Sequence, residues 1–363
     1  MDIALKKVNT LPTPTWNRLG VNFTEFETAG VSFAPYKGNP LSPLSEGVTV
    51  SKLPFPKPDV ATGMGKEASD FVAANRTYSV SLRAAAGTKA GCPVFFDFQL
   101  DGENPALADE IEITAEENSE LTVVVSYHSD KEVAGFHGGL TKLYATKGAV
   151  IHLVQVQLFS DGCAHFDNVG AFAEEGGSID IIQAELGGRN AVSGVKTRLE
   201  GEKSTLNMDT IYFGDRSRSI DMNYVAEHIG RKTKSEIHVV GALLDESQKT
   251  FRGTIDFVRG SKKAVGHESE YNLLFNPKVR NRTAPLILCA EEDVEGQHAA
   301  STGKIGENTL FYLMSRGLSE LDAKKLMIEA QFRPVTDRIP EPELRSAVLD
   351  YVKARLSGLE SMG

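Results

Sequence analysis

The sequence predicts a mainly β protein: a long series of short strands, preceded by an irregular N-terminal segment and followed by a helical tail. Three observations lead there. Between about Cys92 and Leu288, β-branched and aromatic runs of strand length recur, their starts about every 13 to 16 residues. Turn-forming clusters separate them, among them Gly187-Gly188-Arg189-Asn190 and Gly214-Asp215-Arg216-Ser217. No convincing amphipathic helix interrupts the interval, so the order is not that of a βαβ protein. Such a series fits either a sandwich or a β-solenoid. The even spacing favours the solenoid, in which each turn buries its apolar face against the next, although no strict residue-level repeat accompanies it.

Three segments follow from this reading: 1–90, irregular, an N-terminal cap or extended arm; 91–305, the β core; and 306–363, a helical domain. In the first, Pro12, Pro14, Pro35, Pro40, Pro43, Pro54, Pro56 and Pro58 remove backbone donors and restrict their predecessors, so regular structure is discouraged. Only Ala68–Ala74 suggests a helix, and the segment reads as poorly packed. The core strands are expected at Leu121–Tyr127, Val150–Phe159, Ser178–Leu186, Val192–Leu199, Ser204–Phe213, Ser219–His228, Ser235–Leu244 and Thr250–Val258. Within Ser219–His228 the alternation is strict: Ile220, Met222 and Tyr224 face one way, Asp221 and Asn223 the other.

Beyond Gly306 the period lengthens. Glu307–Arg316 reads as a short helix ended by Gly317. Ser319 and Asp322 make a capping pair for a second helix with Ala323, Leu326, Met327 and Ala330 on one face, stopped by Pro334. In Glu341–Leu356, Leu344, Val348, Val352 and Leu356 recur every four residues. That apolar stripe can pack on the β core or dock a partner.

Bulk properties narrow the functional classes. The 363 residues are 41% hydrophobic and 24% charged, ordinary for a soluble chain able to bury a large core. A formal charge of −10 argues against a general nucleic-acid or anionic-membrane surface. Neither a signal-peptide apolar run nor a stretch long enough to span a bilayer is visible. The cysteines Cys92, Cys163 and Cys289 are odd in number and far apart, which fits a reducing cytoplasm rather than a disulfide framework.

The sharpest chemical candidate is His298, in Glu292-Asp293-Val294-Glu295-Gly296-Gln297-His298-Ala299-Ala300-Ser301-Thr302-Gly303-Lys304-Ile305-Gly306. An imidazole ligates iron or zinc, or moves protons near neutral pH, and its small neighbours leave room for a ligand. The competing reading is a surface histidine at a domain junction. Cys289 offers a soft thiolate suited to iron–sulfur chemistry, yet it ends an apolar run where a buried cysteine is common. Cys163 and His165 would share a strand face, but their Asp, Gly and Asn neighbours suggest a turn, and two ligands do not make a metal site. His228 and His238 could lie on neighbouring strands, and Arg216 and Arg218 read as solvated turn charges. No phosphate-binding loop is present: Gly63-Met64-Gly65-Lys66-Glu67 and Gly303-Lys304-Ile305 lack the upstream glycine and the hydroxyl after lysine.

The run from Glu292 into Phe311-Tyr312-Leu313-Met314-Ser315-Arg316-Gly317 resembles a signature of the SufB/SufD family of iron–sulfur cluster assembly proteins. There an acidic-Val-x-x-x-His-(Gly/Glu/Ala)-Ala stretch leads into Gly-(Lys/Arg)-Ile and Phe-Tyr-Leu-x-Ser-Arg-Gly. Leu186-Gly187-Gly188, Leu199-Glu200-Gly201, Phe251-Arg252-Gly253-Thr254-Ile255, Asn272-Leu273-Leu274 and Asn281-Arg282-Thr283-Ala284-Pro285 extend the likeness over about residues 185 to 335.

The resemblance implies a right-handed parallel β-helix with a C-terminal helical domain. It implies a SufBCD-type complex in which SufB-like and SufD-like subunits pair, each docking a SufC-type ATPase through its C-terminal helices, here about Glu307 to Leu356. A transient iron–sulfur cluster or iron would form at the subunit interface, with His298 as a ligand and Cys289 as a weaker one. In SufB-like members a cysteine occupies the position near Val279 and a glutamate follows the motif histidine. Here Val279 and Ala299 stand instead, which implies a SufD-like subunit, an assembly component and not an enzyme. The alternatives are a homodimeric scaffold working with the ATPase alone and, more remotely, a β-solenoid enzyme acting on polysaccharide, for which the lone Trp16 lies outside the strands.

Overall fold

Strands buried on both faces cannot show simple alternation, and Ala164–Ala173, nine of whose ten residues are buried, is typical of this chain. The computed structural model describes residues 1–51, 58–304 and 307–360; Pro54, Pro56, Ile305 and Gly306 lie outside them. The N-terminal segment forms β1 (Ile3–Val8), β2 (Thr24–Thr28), β3 (Val48–Ser51) and α1 (Lys66–Asn75). There follow β4 (Tyr78–Ala84), β5 (Val94–Leu100), β6 (Ala106–Ala115), β7 (Glu120–Ser129), β8 (Phe136–Ala145), β9 (Val150–Leu158), β10 (Ala164–Ala173) and β11 (Ser178–Glu185). The series continues with β12 (Asn190–Leu199), β13 (Thr205–Gly214), β14 (Ser219–His228), β15 (Lys234–Leu243), β16 (Gln248–Phe257), β17 (Ala264–Leu274), β18 (Arg280–Cys289) and β19 (Val294–Lys304). Helices α2 (Glu307–Ser315), α3 (Glu320–Thr336) and α4 (Pro342–Glu360) close the chain.

From β4 onward the strands alternate between two sheets. Even-numbered strands stack from β4 to β18, odd-numbered ones from β5 to β19, each pairing parallel with the strand two ahead. This is a parallel β-solenoid of about eight turns, whose stacked residues stand 26 to 32 apart in sequence. The spacing of 13 to 16 read from the sequence is therefore half a turn. The eight runs picked out above coincide with β7, β9 and β11 to β16.

In six successive turns one corner adopts the left-handed conformation, at Asn118, Gly148, Gly176, Lys203, Lys232 and Lys263. Each of these residues donates its N–H to a carbonyl one turn further on, as Gly176 does to Glu202. Conformation repeats where residue type does not, so the solenoid shows no strict sequence repeat.

The 1–90 segment is better packed than its prolines suggest. Ile3, Leu5, Val8, Phe26, Met64, Ala68 and Val72 are buried against Phe136, Phe166 and Val192 of the even-stranded sheet. Asn9 Nδ2 donates to Asp221 Oδ1 (2.7 Å), Asn223 Nδ2 donates to the Gly63 carbonyl (2.8 Å), and Arg252 donates to the Val21 carbonyl and to Asp221. A Cβ on Gly63 would lie 2.0 Å from the Val195 nitrogen, so this strap crosses the sheet where only glycine fits. The segment also supplies β4, so the stack begins before residue 91.

The helices cover the opposite sheet. Ile328, Phe332 and Val335 of α3 and Leu344, Val348, Val352 and Leu356 of α4 pack on Val154, Ile182, Ile211 and Val240. The α4 stripe is thus used by the protein's own core and is not the free surface that the resemblance suggested for a partner. On α3 the buried face is Ala323, Ile328, Phe332 and Val335, whereas Leu326 and Ala330 are exposed. Pro334 does not stop α3, which runs to Thr336: in the last turn it forgoes a single backbone bond. Ser319 caps α3, its Oγ accepting from the Asp322 N–H at 3.1 Å. Gly317 (φ 95°) ends α2, with Leu318 N–H bonded to Leu313 and Gly317 N–H to Met314.

Candidate functional site

A solenoid buries each turn under the next, so its last turn presents its inward-facing residues to whatever lies beyond. Here that turn is β18 and β19, which among the described residues pair only with β16 and β17. Register fixes which side chains face inward. Glu268, buried, pairs with His298, and Phe257, also buried, pairs with Cys289. His298 and Cys289 therefore stand in one terminal layer and both are exposed.

Within the layer the two residues stand apart. Asn281 lies across from Thr302, its Nδ2 donating to Oγ1 at 3.4 Å. Ile287 lies across from Gly296, whose added Cβ would sit 3.4 Å from it. In the same register His298 faces Pro285, and Cys289 faces Val294. Four residues of strand at about 3.3 Å each separate them by about 13 Å. One ion cannot bridge that span, since metal–ligand bonds are about 2.0–2.3 Å. Cys289 lines a cleft with Phe257, Ile287, Glu291 and Gly296, its thiol donating to the Glu291 carbonyl at 3.0 Å. Glu291, Glu292, Asp293 and Glu295 make this rim anionic.

Directly beneath lies a buried ionic group that sequence reading did not find. Lys249 Nζ is paired with Glu270 and donates to Thr283 Oγ1 (3.1 Å) and the Arg282 carbonyl (3.3 Å). Burial lowers the Lys249 pKa, opposed by Glu270. Glu268, under His298, has one carboxyl oxygen without a hydrogen-bond partner. Burial, reinforced by the charge of Glu270, pushes its pKa up to about 7. The signal available in the sequence was the alternation Glu268-x-Glu270-x-Asn272, a polar stripe on the inward face of β17.

The other candidates fall elsewhere. The turn reading holds only for the first half: Asp161 and Gly162 turn and Cys163 N–H closes onto the Ser160 carbonyl, whereas His165 lies in β10, where Asp167 and Asn168 are buried strand residues. His228 is buried between Thr233 Oγ1 (2.7 Å) and Ser235 Oγ (2.9 Å), and burial pulls its pKa down to about 4. His238 lies in the other sheet beside Asp209, so the two histidines are not a pair. Arg218 is no solvated charge: it is buried, donating to the Leu186 and Phe213 carbonyls and paired with Asp161. Asp215 is further bonded at 2.8 Å to both Nε and Nη2 of Arg355 in α4. Gly63 and Met64 donate to Val169 O and Asn168 Oδ1, so this loop packs on β10.

A second exposed surface lies on the helices. Phe311 (73% exposed), Tyr312 (55%), Met314 (43%) and Leu326 (48%) are among the large apolar side chains most open to solvent in the described residues.

Comparison with known proteins agrees with this architecture. Residues 98–331 match the profile described as SUF system FeS cluster assembly, SufBD core domain. The iron–sulfur cluster assembly protein SufD of Bacillus subtilis is 23% identical over 266 residues, covering 73% of this chain and 61% of that protein. SufD of Escherichia coli is 25% identical over 243 residues, 67% of this chain and 57% of its own length. A SufBD family protein of Pyrococcus horikoshii is 28% identical over 254 residues, 69% and 56% respectively. The chain thus spans somewhat over half the length of the curated relatives it matches.

Proposed function

The chain belongs to the SufBD family of SUF-system iron–sulfur cluster assembly proteins, and from that premise we propose that it acts as a SufD-like subunit of a SufBCD-type complex, not as an enzyme. The observation that carries this reading is the terminal layer. Two unpaired strand edges flank an exposed cross-section of the interior, and an uncovered edge of this kind invites continuation by another sheet. A SufB-like solenoid would extend both sheets and enclose His298, and Cys289 with it, at the junction. The nascent cluster or iron is the cargo there, with His298 supplying an imidazole ligand and Cys289, about 13 Å away and so unable to share one iron with it, a subsidiary thiolate for another. Val279 and Ala299, where SufB-like members carry cysteine and glutamate, support the SufD-like assignment.

ATP hydrolysis falls to a SufC-type ATPase, which we place against the exposed Phe311, Tyr312, Met314 and Leu326, since the α4 stripe is already covered. Three free cysteines support a cytoplasmic setting, and no helix among the described residues is long and apolar enough to cross a membrane. A second reading, a homodimeric scaffold, is favoured by Cys289 sharing the layer with His298: two copies would bring two thiolates and two imidazoles together.

Anaerobic co-purification with SufB-type and SufC-type subunits tests the proposal, with iron and acid-labile sulfide measured for wild type and His298→Ala. The expected result is a three-component complex whose variant assembles normally and loses cluster. A homodimer that carries cluster without the SufB-type chain would favour the second reading, and no complex at all would overturn both.

A further inference from the structure

Far from the terminal layer, inside the first half of the solenoid, five ionisable side chains converge: Asp109 on β6, His137 on β8, His165 and Asp167 on β10, and Glu185 on β11 of the opposite sheet. All are at most 2% exposed. His137 Nε2 is 2.6 Å from Asp109 Oδ1, and the two Nδ1 atoms of His137 and His165 are 2.7 Å apart. The Tyr127 hydroxyl donates to Asp109 Oδ2 at 3.2 Å. Since Asp109 accepts from His137 Nε2–H, His137 Nδ1 accepts in turn from His165 Nδ1–H. With one proton on each ring, His165 Nε2 is left as a lone pair.

That lone pair faces acceptors. Glu185 Oε2 is 3.3 Å away and Asp167 Oδ2 3.8 Å. His165 Nε2, both Asp167 oxygens and Glu185 Oε2 are buried without any hydrogen bond. Space for the Asp167 carboxylate is built in, because a Cβ on its neighbour Gly139 would lie 2.2 Å from Asp167 Oδ1. Among the described residues no lysine or arginine pairs with any of the three carboxyl groups. Buried acceptors left facing one another are costly unless something positive lies between them.

We propose that His165 Nε2, Asp167 and Glu185 hold a divalent first-row transition-metal ion inside the solenoid, with His137 and Asp109 orienting the imidazole. The three ligand atoms lie within 4.8 Å of one another. Tetrahedral ligands at about 2.1 Å stand about 3.4 Å apart, so shifts of around 1 Å or less bring these three to bonding distance and leave a fourth position open. Mixed nitrogen and oxygen donors suit such an ion, and a carboxylate–histidine chain behind the ligating ring is the usual support for a metal-bound imidazole. With no exposed ligand, the ion would enter as the chain folds and leave slowly.

The test uses the full chain produced in Co2+-supplemented medium, passed through chelator and gel filtration, with bound metal counted by mass spectrometry and the visible spectrum recorded. The expected result is about one Co2+ per chain, with ligand-field bands and no thiolate charge transfer. Asp167→Asn and Glu185→Gln should each lose the ion, while Cys289→Ser/His298→Ala keeps it. Metal-free wild type overturns the proposal, as does cobalt that is lost with Cys289 and His298. Should the isosteric variants fail to fold, the wild-type stoichiometry and spectrum decide alone.

Discussion

Glu268→Gln isolates the carboxyl beneath His298. Its ordinary value of 4.5 is raised to about 7 by burial and by Glu270, with Lys249 partly opposing. A raised carboxyl pKa means that the folded protein binds the proton more tightly than the unfolded chain does. The resulting stabilisation is complete below the unfolded value and is lost as pH rises through about 7. At about 1.4 kcal/mol per pH unit, ionising Glu268 costs about 3 kcal/mol by pH 8, a large share of a typical folding free energy. Glutamine keeps the shape and removes the titration. Urea denaturation followed by far-UV circular dichroism between about pH 5 and pH 8 should give similar midpoints for both proteins at the acid end. At the alkaline end the variant should be more stable by up to about 3 kcal/mol. Parallel pH profiles would refute the reasoning by showing that folding leaves this carboxyl unshifted, and a variant weaker at pH 8 by showing that the folded protein stabilises its charge.

Other elements give sharper single outcomes. Arg252→Met strands Asp221 beneath the N-terminal strap and should cost about 3–5 kcal/mol in urea. It should also open residues 1–65 to protease, with Asp221→Asn/Arg252→Met recovering part of the loss. Val348→Ala, at a fully buried α4 position, should lower stability by about 1–3 kcal/mol as the helix loosens from its sheet. Ser319→Ala removes the α3 cap and should cost about 1 kcal/mol. Phe311→Asp should leave stability within about 0.5 kcal/mol of wild type, because the ring is 73% exposed, yet abolish retention of the SufC-type ATPase.

The solenoid was legible because strand length, turn chemistry and the half-turn spacing are local properties. What escaped the sequence was mostly what a third layer does to it. Asp221 and Asn223 face away from Ile220, Met222 and Tyr224, as the alternation predicts, yet they are buried too, because the strap from Asn9 and Gly63 lies over them. Ala164–Ala173 lost its alternation for a similar reason, and its Asp167-Asn168 pair imitated a turn. Arg218 looked like a turn charge because its partners Asp161 and Leu186 are distant in sequence, as is Arg355, which holds its near neighbour Asp215. The His165 cluster is a further case. Its members fall on four strands, and only stacking at a 28-residue period brings His137 onto His165. His298 stood out through the family motif, while its place in the terminal layer depends on where the stack ends, which periodicity does not announce.

The geometry of that layer constrains any account of the cargo site. His298 and Cys289 face the same way but stand two inward positions apart, about 13 Å along the ladder, so a single chain offers at most one of them to any one iron. An imidazole alone is a weak and exchangeable hold. Completing a cluster's shell therefore requires ligands from outside this chain, and the open edges of β18 and β19 are where a second solenoid could bring them in register. On the proposed function, such an arrangement would make cluster formation conditional on pairing. It also means that widening the layer without touching a ligand should matter: a bulky residue at Ala300, the inward neighbour of His298, would hold the two solenoids apart and lower cluster yield with His298 intact.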